Sequence, residues 1–296
     1  MLFTIAIPTY NSAKLIEKAI ISCLKIKYNE EFEILIVNNN SNDNTLEILE
    51  KFSSEKKIRI INNEKTVSQF ENHNVCLKEA RGDYIIFCHS DDELKEDILE
   101  ILKFKIESRN YPEKYIVWGQ SMFRDFYGYL KQFNVTYNTI IAGERAIEVF
   151  SIPNGLTPSG TCYSRKALLE IGGFYEMKTK TTPSDWTIML NAAINEFEFE
   201  MLDRLLFIRK FASTALSESK NNRKKDIFDA FNIVYNNLNL EEREIIKKFI
   251  LKNINYEGYY ILKKFFKLKL SEKLKYFFKG VFCNKKELVK LIFYYT

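Results

Sequence analysis

The chain has 296 residues, of which 46% are hydrophobic and 28% are charged, so it can bury a large core and does not have the composition of an intrinsically disordered protein. The net charge of +5 is unevenly distributed: residues 247–296 hold 13 lysines, no arginine, no aspartate and three glutamates, a net +10, which leaves −5 for residues 1–246. This separation of charge predicts contact with an anionic surface, either a membrane or a nucleic acid.

The five cysteines are scattered, odd in number and without the spacing of zinc ligands, so we expect reduced, mostly buried thiols. The first residues lack a basic segment and reach Pro8 too early for a secretory signal. No apolar run approaches the roughly 20 residues that cross a bilayer. These features predict a cytoplasmic protein. The only histidines are His73 and His89, and no P-loop, G-x-S-x-G or G-x-G-x-x-G sequence is present, which disfavours the corresponding enzyme classes.

Short apolar runs alternate with amphipathic segments along the first 110 residues. The pattern predicts strands at residues 2–7, 32–37, 58–61 and 84–88, and helices at residues 45–52, 67–80 and 93–108, with a further helix capped by Asn11 and Ser12. This alternation is typical of an α/β fold with a doubly wound, mostly parallel sheet and flanking helices. Since ligands bind at the carboxyl ends of the strands in such sheets, the polar residues that follow the strands form the candidate site.

The alternation becomes less regular after residue 110. Strands are predicted at residues 115–119, 161–164 and 205–209, helices at residues 143–150, 165–171 and 186–195, and a hairpin at residues 123–133. A polar, basic stretch at residues 216–225 marks a boundary. We therefore predict a principal domain over residues 1–215 and a basic, helical C-terminal extension over residues 216–296.

Several sequence blocks carry a resemblance to a known family. They are IAIPTYN at residues 5–11, IVNNNSNDNT at residues 36–45, the run NHN, ARGDYIIF and HSDD between residues 72 and 92, and GGF and SDW at residues 172–174 and 184–186. Each block is weak alone, but their order and spacing resemble glycosyltransferase family 2 over about residues 3–210. The resemblance implies a GT-A fold in which residues 1–110 bind a nucleotide sugar and residues 111–215 bind the acceptor.

The acidic pair Asp91 and Asp92 follows the fourth predicted strand and stands where the family binds its metal ion. Mn²⁺ and Mg²⁺ prefer carboxylate and phosphate oxygens, and either ion would neutralise a departing diphosphate. We therefore expect both aspartates to bind the metal, with Asp91 as the principal ligand. The alternative is a capping box formed by Ser90 and Glu93 at the start of the next helix.

Two residues depart from the family pattern. His89 stands where the family usually has an acid; it either contacts the metal or a phosphate or is an ordinary strand-end residue, and we favour the last interpretation. Asn38 stands where many members have an aspartate that accepts a hydrogen bond from uracil, and an amide oxygen also accepts one. We expect a uridine base, and the sequence admits another. The resemblance implies these contacts with the nucleotide sugar: Pro8, Thr9, Tyr10, Asn38, Asn74, Ser90 and Asp91.

The resemblance assigns the catalytic base to Asp185 in the SDW block. Inverting transfer needs one carboxylate that accepts the proton of the acceptor hydroxyl as it attacks the anomeric carbon, unlike the paired carboxyl groups of a glycosidase. The alternative is that Asp185 only caps the following helix. Its neighbour Trp186 either stacks on a sugar or packs in the core, which is the commoner arrangement.

The C-terminal extension combines lysines with apolar residues at helical spacing, which are Leu262, Phe266, Leu270, Leu274, Phe277 and Val281. This pattern predicts docking on anionic lipid headgroups. The alternative is a helical pair that packs on the catalytic domain and exposes its lysines to solvent. Nucleic acid is a disfavoured partner, because residues 247–296 contain no arginine.

The resemblance implies an inverting hexosyl- or N-acetylhexosaminyltransferase that uses a nucleotide sugar, a saccharide or lipid-linked acceptor and Mn²⁺ or Mg²⁺. The resemblance implies a role in bacterial surface polysaccharide or lipooligosaccharide synthesis at the inner face of the cytoplasmic membrane. A sugar-phosphate nucleotidyltransferase is one alternative, but it would need a Gly- and Arg-rich loop that residues 8–12 lack. A catalytically inactive nucleotide-sugar-binding module is another, given Asn38 and His89.

Overall fold

The computed structural model describes residues 3–122, 135–151, 158–175 and 184–209 and, further along the chain, parts of 231–252 and 261–276. Its central feature is a nine-stranded sheet with helices packed against it. The sheet has a parallel half built by the first 90 residues and a mixed half built by the residues that follow.

The parallel half consists of strands β1 Phe3–Thr9, β2 Phe32–Asn38, β3 Ile58–Asn62 and β4 Tyr84–Phe87, which are connected by helices α1 Ile16–Leu24, α2 Thr45–Glu50 and α3 Gln69–Glu79. β1 pairs in parallel with both β2 and β4, and β2 pairs with β3. The predicted α/β alternation is confirmed. The sequences of these strands are largely apolar because helices cover both faces of the sheet, so side chains on both sides of β1, β2 and β4 are buried.

The mixed half adds strands β5 Glu93–Leu94, β6 Tyr115–Ser121, β7 Ile140–Ile141, β8 Cys162–Ser164 and β9 Glu198–Ile208, and helices α4 Ile98–Ser108, α5 Gly143–Phe150, α6 Arg165–Glu170, α7 Ser184–Ile194 and α8 Leu240–Lys252. The strand order is β3-β2-β1-β4-β8-β6-β9-β5, and β7 also pairs with β9. β8 joins the two halves, since it is antiparallel to both β4 and β6.

The helix predicted at residues 93–108 begins later than expected, at Ile98. The preceding residues form β5, which pairs with β9 and holds the chain extended. Ser90 and Glu93 therefore form no capping box, and that alternative for the acidic segment is wrong. The short strand escaped prediction because its two residues gain their stability from a partner about 110 positions away in the sequence.

Other boundaries differ for similar reasons. Asn11 and Ser12 do not provide a side-chain cap for α1, which begins at Ile16 without one. The last strand extends from Glu198 rather than from residue 205, because it pairs along its length with β6. The hairpin predicted at residues 123–133 lies outside the described residues.

Two apolar clusters lie on the two faces of the sheet, because alternate residues of a strand point to opposite sides. One cluster also contains buried residues from the C-terminal part of the chain, which are Phe231, Val234, Leu238, Ile246, Phe249, Ile250, Ile261, Leu262 and Phe266. The described part of the predicted extension thus packs on the same core as the second half of the sheet. The division at residue 215 stays a prediction, since residues 210–230 are not described.

Four of the five cysteines, Cys23, Cys76, Cys88 and Cys162, are buried free thiols, as the sequence predicted. Cys283 lies outside the described residues. Within the described ranges, no helix is both long enough and apolar enough to pass through a bilayer.

Candidate active site

The carboxyl ends of β1, β2 and β3 meet at one edge of the sheet. The parallel register sets Thr9 beside Asn38, and Asn38 beside Asn62. The Asn39 N–H donates to the Thr9 carbonyl at 2.9 Å, which carries the pairing one residue past the end of β2. This edge is where an open α/β sheet binds ligands.

β1 continues through Pro8, where the sequence had predicted its end. Proline has no N–H, but this position needs none. Ala6 and Pro8 direct their backbone groups toward β4. The Cys88 N–H, one residue past the end of β4, donates to the Ala6 carbonyl, so β4 does not extend far enough to pair with Pro8. Pro8 therefore lies at the sheet edge without an unpaired N–H. Tyr10, two residues further along the chain, is 46% exposed there.

Asn11 and Ser12 brace the edge instead of capping α1. Asn11 adopts a left-handed conformation with φ of 48°, and its side-chain oxygen accepts from the Asn42 N–H at 2.9 Å. The Ser12 N–H donates to Thr45 Oγ1 at 2.8 Å, and the Ser12 and Ser90 hydroxyls lie 2.9 Å apart. The loops that follow β1, β2 and β4 are therefore tied to one another.

Asn38 and Thr9, two of the predicted contacts with the nucleotide sugar, differ in how their polar atoms are used. Asn38 is 3% exposed; its oxygen accepts from Ser41 Oγ at 2.6 Å, and its Nδ2 donates to Asn62 at 2.9 Å. Thr9 is 2% exposed, and its hydroxyl has no hydrogen-bond partner within the described residues. Buried hydroxyls are nearly always bonded, so the Thr9 hydroxyl is available to a ligand.

Asn74, another predicted contact with the nucleotide sugar, holds a turn of the acceptor half. Its Oδ1 accepts from the Phe174 N–H at 2.8 Å and its Nδ2 donates to the Phe174 carbonyl at 2.7 Å. The turn requires Gly172 and Gly173, which have φ of +92° and +64°. A Cβ on Gly173 would lie only 2.5 Å from the Asn74 oxygen. The amide thus positions the GGF block, and its contact with a donor stays a prediction.

The acidic segment after β4 gathers three potential metal ligands. One ligand atom from each of His89, Asp91 and Asp92 lies within 4.8 Å of the others. Asp92 is 2% exposed, and its Oδ2 is 4.0 Å from Nδ1 of His89. The His89 N–H donates to Ser159 Oγ at 3.1 Å, which fixes the backbone of the segment. Two carboxylates and an imidazole form a donor set that fits a divalent ion such as Mn²⁺ or Mg²⁺.

His73 is a site residue that the sequence analysis did not assign. It is 3% exposed on α3; its Nδ1 lies 2.7 Å from the Gln69 carbonyl, and its Nε2 lies 3.2 Å from Nε2 of His89. Burial, with a smaller effect of His89, lowers the pKa of His73 to about 3. Its ring packs against Phe87 and Phe174, with both centroid distances 5.0 Å. A sequence signal existed, because the chain's only two histidines both lie in the family-like blocks.

Asp185 lies in the first turn of α7 and is partly exposed. The Asp185 carboxylate lies close enough to Tyr163 to influence its ionisation. Burial is the main cause of the raised pKa of the Tyr163 phenol, and the negative charge of Asp185 is the second. Tyr163 in turn packs on Phe87, the last residue of β4, with ring centroids 5.9 Å apart. Trp186 is 1% exposed and donates to the Phe150 carbonyl at 2.7 Å, so it packs in the core rather than presenting its ring to a sugar.

The arrangement offers two kinds of chemistry. The end of β4 provides a ligand set for a cation that would neutralise phosphate charge, and α7 provides a carboxylate at a helix start, where negative charge is favourable. The residues at the ends of β1 and β2 form the adjoining edge of the sheet. Among the predicted donor contacts, the Asn74 side chain is hydrogen-bonded to the Phe174 backbone of the acceptor half.

Comparison with known proteins shows the family and the fold to which the chain is similar. TarS of Staphylococcus aureus strain Mu50, a poly(ribitol-phosphate) β-N-acetylglucosaminyltransferase, is 34% identical over 109 residues. The matched region is 34% of this chain and 18% of TarS, so the chain covers only about a fifth of that relative.

Solved structures share the fold. S. aureus TarS 1–349 in complex with UDP-GlcNAc matches with a TM-score of 0.66 and 21% identity over 95% of this chain and 80% of that chain. The mannosyltransferase PcManGT from Pyrobaculum calidifontis, in complex with GDP-Man and Mn²⁺, matches with a TM-score of 0.63 and 16% identity over 88% and 72%. These likenesses show the GT-A fold. The sequence profile described as "Glycosyl transferase family 2" matches residues 4–172, more than half of the chain, and the chain therefore belongs to glycosyl transferase family 2.

Proposed function

We propose that this chain is an inverting glycosyltransferase that moves a sugar from a nucleoside diphosphate sugar to an acceptor hydroxyl. The observation that carries the proposal is the cluster of His89, Asp91 and Asp92 at the carboxyl end of β4 in a chain of this family. A divalent ion bound there would neutralise the charge that develops on the departing nucleoside diphosphate. Asp91 and Asp92 would hold it through their carboxylate oxygens.

The nucleotide is proposed to lie along the ends of β1 to β3, in contact with Pro8, Tyr10 and Ser90. The buried Thr9 hydroxyl, which has no partner within the described residues, would bond the base or ribose. Asn38 would exchange its bond with the Ser41 hydroxyl for one with the uracil N–H. We propose a UDP sugar on these grounds, supported by the UDP-GlcNAc that the TarS structure contains.

Asp185 is proposed as the general base. Its carboxylate would accept the proton of the acceptor hydroxyl while the oxygen attacks the anomeric carbon from the face opposite the leaving diphosphate. The start of α7 favours the ionised form that this step requires. A single displacement of this kind inverts the anomeric configuration, and it needs one base rather than two carboxyl groups.

The acceptor is proposed to be a hydroxyl of a bacterial surface polysaccharide or of a lipid-linked saccharide. The support is the name of TarS, which describes poly(ribitol-phosphate) as what that relative modifies. The Asn74 clamp on Phe174 would hold the acceptor side of the site in place beside α3.

Peripheral attachment to the inner face of the cytoplasmic membrane is proposed through charge. Leu262 and Phe266 are 0% and 7% exposed in the core, so these two positions of the predicted apolar stripe are not available to lipid. The lysines of residues 247–296 remain the basis for contact with anionic headgroups. Binding to anionic vesicles should then weaken with salt, and salt-independent sedimentation would contradict this route.

The proposed reaction is tested by incubating the protein with UDP-GlcNAc, Mn²⁺ and a panel of saccharide acceptors, and by reading the product by NMR. We expect UDP release coupled to a product whose anomeric configuration is opposite to that of the donor. A retained configuration would exclude the single-displacement mechanism. Binding of UDP-GlcNAc without either transfer or hydrolysis would instead identify an inactive binding module.

A further inference from the structure

The two histidines and a backbone carbonyl form a linear series beside the proposed metal site. The Gln69 carbonyl lies 2.7 Å from Nδ1 of His73, and Nε2 of His73 lies 3.2 Å from Nε2 of His89. The remaining nitrogen of His89, Nδ1, is 4.0 Å from the Asp92 carboxylate. Each member of the series constrains the protonation of the next.

A carbonyl oxygen only accepts hydrogen bonds, so the proton of the first contact must lie on Nδ1 of His73. His73 is 3% exposed, and a neutral imidazole carries one ring proton, so its Nε2 holds a lone pair. The 3.2 Å contact between the two Nε2 atoms then needs a proton from His89. A neutral His89 with its proton on Nε2 has its lone pair on Nδ1, the nitrogen that lies toward Asp92.

We propose that His89 is the third protein ligand of the metal, through Nδ1, and that His73 is the positioning residue that fixes the required tautomer. The inference rests on the proposed function, since it concerns the same cation site. It replaces our preference, based on sequence, for His89 as an ordinary strand-end residue. Metal-binding histidines commonly donate the proton of their other nitrogen to a neighbouring acceptor, and here the acceptor is a second imidazole.

This ligand set has a consequence for metal choice. Both Mn²⁺ and Mg²⁺ bind carboxylate oxygens well, but Mn²⁺ is a first-row transition-metal ion and accepts an imidazole nitrogen more readily than Mg²⁺ does. A site with one imidazole and two carboxylates should therefore favour Mn²⁺ over Mg²⁺ more strongly than a site with oxygen ligands alone. An aspartate at position 89 would remove the additional preference for Mn²⁺ that the imidazole contributes.

The tautomers are measurable on the wild-type protein, because the chain contains only two histidines. Long-range ¹H–¹⁵N spectra of ¹⁵N-histidine-labelled protein distinguish a proton on Nδ1 from one on Nε2. We expect a Nδ1–H form for His73 and a Nε2–H form for His89 in the metal-free protein at pH 8. A Nδ1–H form for His89 would overturn the positioning role, and this experiment requires no substitution.

The ligand role is tested with Mn²⁺ and UDP, by electron paramagnetic resonance for affinity and by electron spin echo modulation for bonded nitrogen. We expect a directly bonded imidazole nitrogen that disappears in His89→Asp, and a ratio of Mn²⁺ to Mg²⁺ affinity that falls about 10-fold or more in this variant. His73→Leu should weaken Mn²⁺ binding by about 10- to 100-fold, and His73→Gln, whose carbonyl can accept from His89, should recover most of it.

The outcomes separate the inference from the proposed function. Mn²⁺ binding that depends on Asp91, without a bonded nitrogen and with unchanged selectivity in His89→Asp, would overturn the inference and leave the proposed transferase intact. Absence of Mn²⁺ binding in the presence of UDP would overturn both. Equal effects of His73→Leu and His73→Gln on a folded protein would reduce His73 to a packing residue.

Discussion

At the residue scale, the acidic segment after β4 owes its properties to its mixed surroundings. Asp92 is buried while Asp91 is partly exposed, and a hydrogen bond from the His89 N–H to Ser159 holds the backbone that carries them. The chain thus presents one carboxylate to solvent and keeps the other within the fold. This is the arrangement expected where one side must receive a hydrated ion and a phosphate.

Asp91→Ala should abolish transfer, as EDTA should, because the most accessible oxygen ligand of the proposed cation site is lost. The measurement is the initial rate of UDP release in the presence of acceptor. Asp97→Ala is the matched control, because Asp97 is an exposed acid six residues away whose side chain makes no cap hydrogen bond to α4. Full activity of the Asp91 variant, or of the wild type in chelator, would remove the metal from the reaction.

At the element scale, the turn that follows α6 is fixed to α3 by Asn74. The two hydrogen bonds between its amide and the Phe174 backbone link elements that are 100 residues apart in the sequence. The glycines of the turn have positive φ, and Gly173 also packs directly against the Asn74 side chain. Conformation and space therefore both require glycine at position 173.

Gly173→Ala should destabilise the protein by about 2–4 kcal/mol, which combines left-handed strain with the collision between a Cβ and the Asn74 oxygen. Gly143→Ala separates these effects, because Gly143 has φ of +52° but no atom of the described residues lies within 4 Å of the place that an added methyl would occupy, so about 1–2 kcal/mol is expected. Urea unfolding measures both variants. Equal losses would show that the contact with Asn74 carries no cost.

At the scale of the whole molecule, the C-terminal part of the chain belongs to the core rather than standing apart from it. Phe231 is fully buried and stacks on Trp186 of α7, with ring centroids 6.0 Å apart and an interplanar angle of 12°. Lys252 of α8 pairs with the buried Glu148 of α5 at 2.8 Å. Phe231 thus packs against the helix that carries Asp185.

Phe231→Ala should therefore lower the free energy of unfolding of the whole protein by about 3–5 kcal/mol, the usual cost of removing a buried aromatic ring. Leu240→Ala is the control, because Leu240 is 80% exposed and its loss should cost less than about 0.5 kcal/mol. Circular dichroism during urea unfolding provides the measurement. If urea unfolding instead showed two transitions, and the substitution shifted one of them and left the other unchanged, the C-terminal residues would form an independently folding unit.

Features that depend on local sequence signals were predictable, and features that depend on contacts between distant residues were not. The alternation of β1 to β4 with helices was predictable, because continuous apolar runs and helical periodicity are local signals. So was the grouping of Thr9, Asn38 and Asp91 at one edge, since parallel strands align their carboxyl ends. β5 was not predictable, because it exists only through β9. Nor was the contact between His73 and His89, which depends on how α3 lies against β4.

Asp185→Asn tests the proposed role of Asp185 as the base that removes the proton of the acceptor hydroxyl. The amide keeps the size of the side chain but cannot act as the base, so turnover should fall by about 100-fold or more. The dissociation constant of UDP-GlcNAc should change by no more than about three-fold, because a general base acts in the transition state and is not expected to contribute to donor binding. Asp203→Asn, an exposed acid on β9, serves as the control. Normal turnover in Asp185→Asn would exclude Asp185 as the base and leave it as a residue of the helix start.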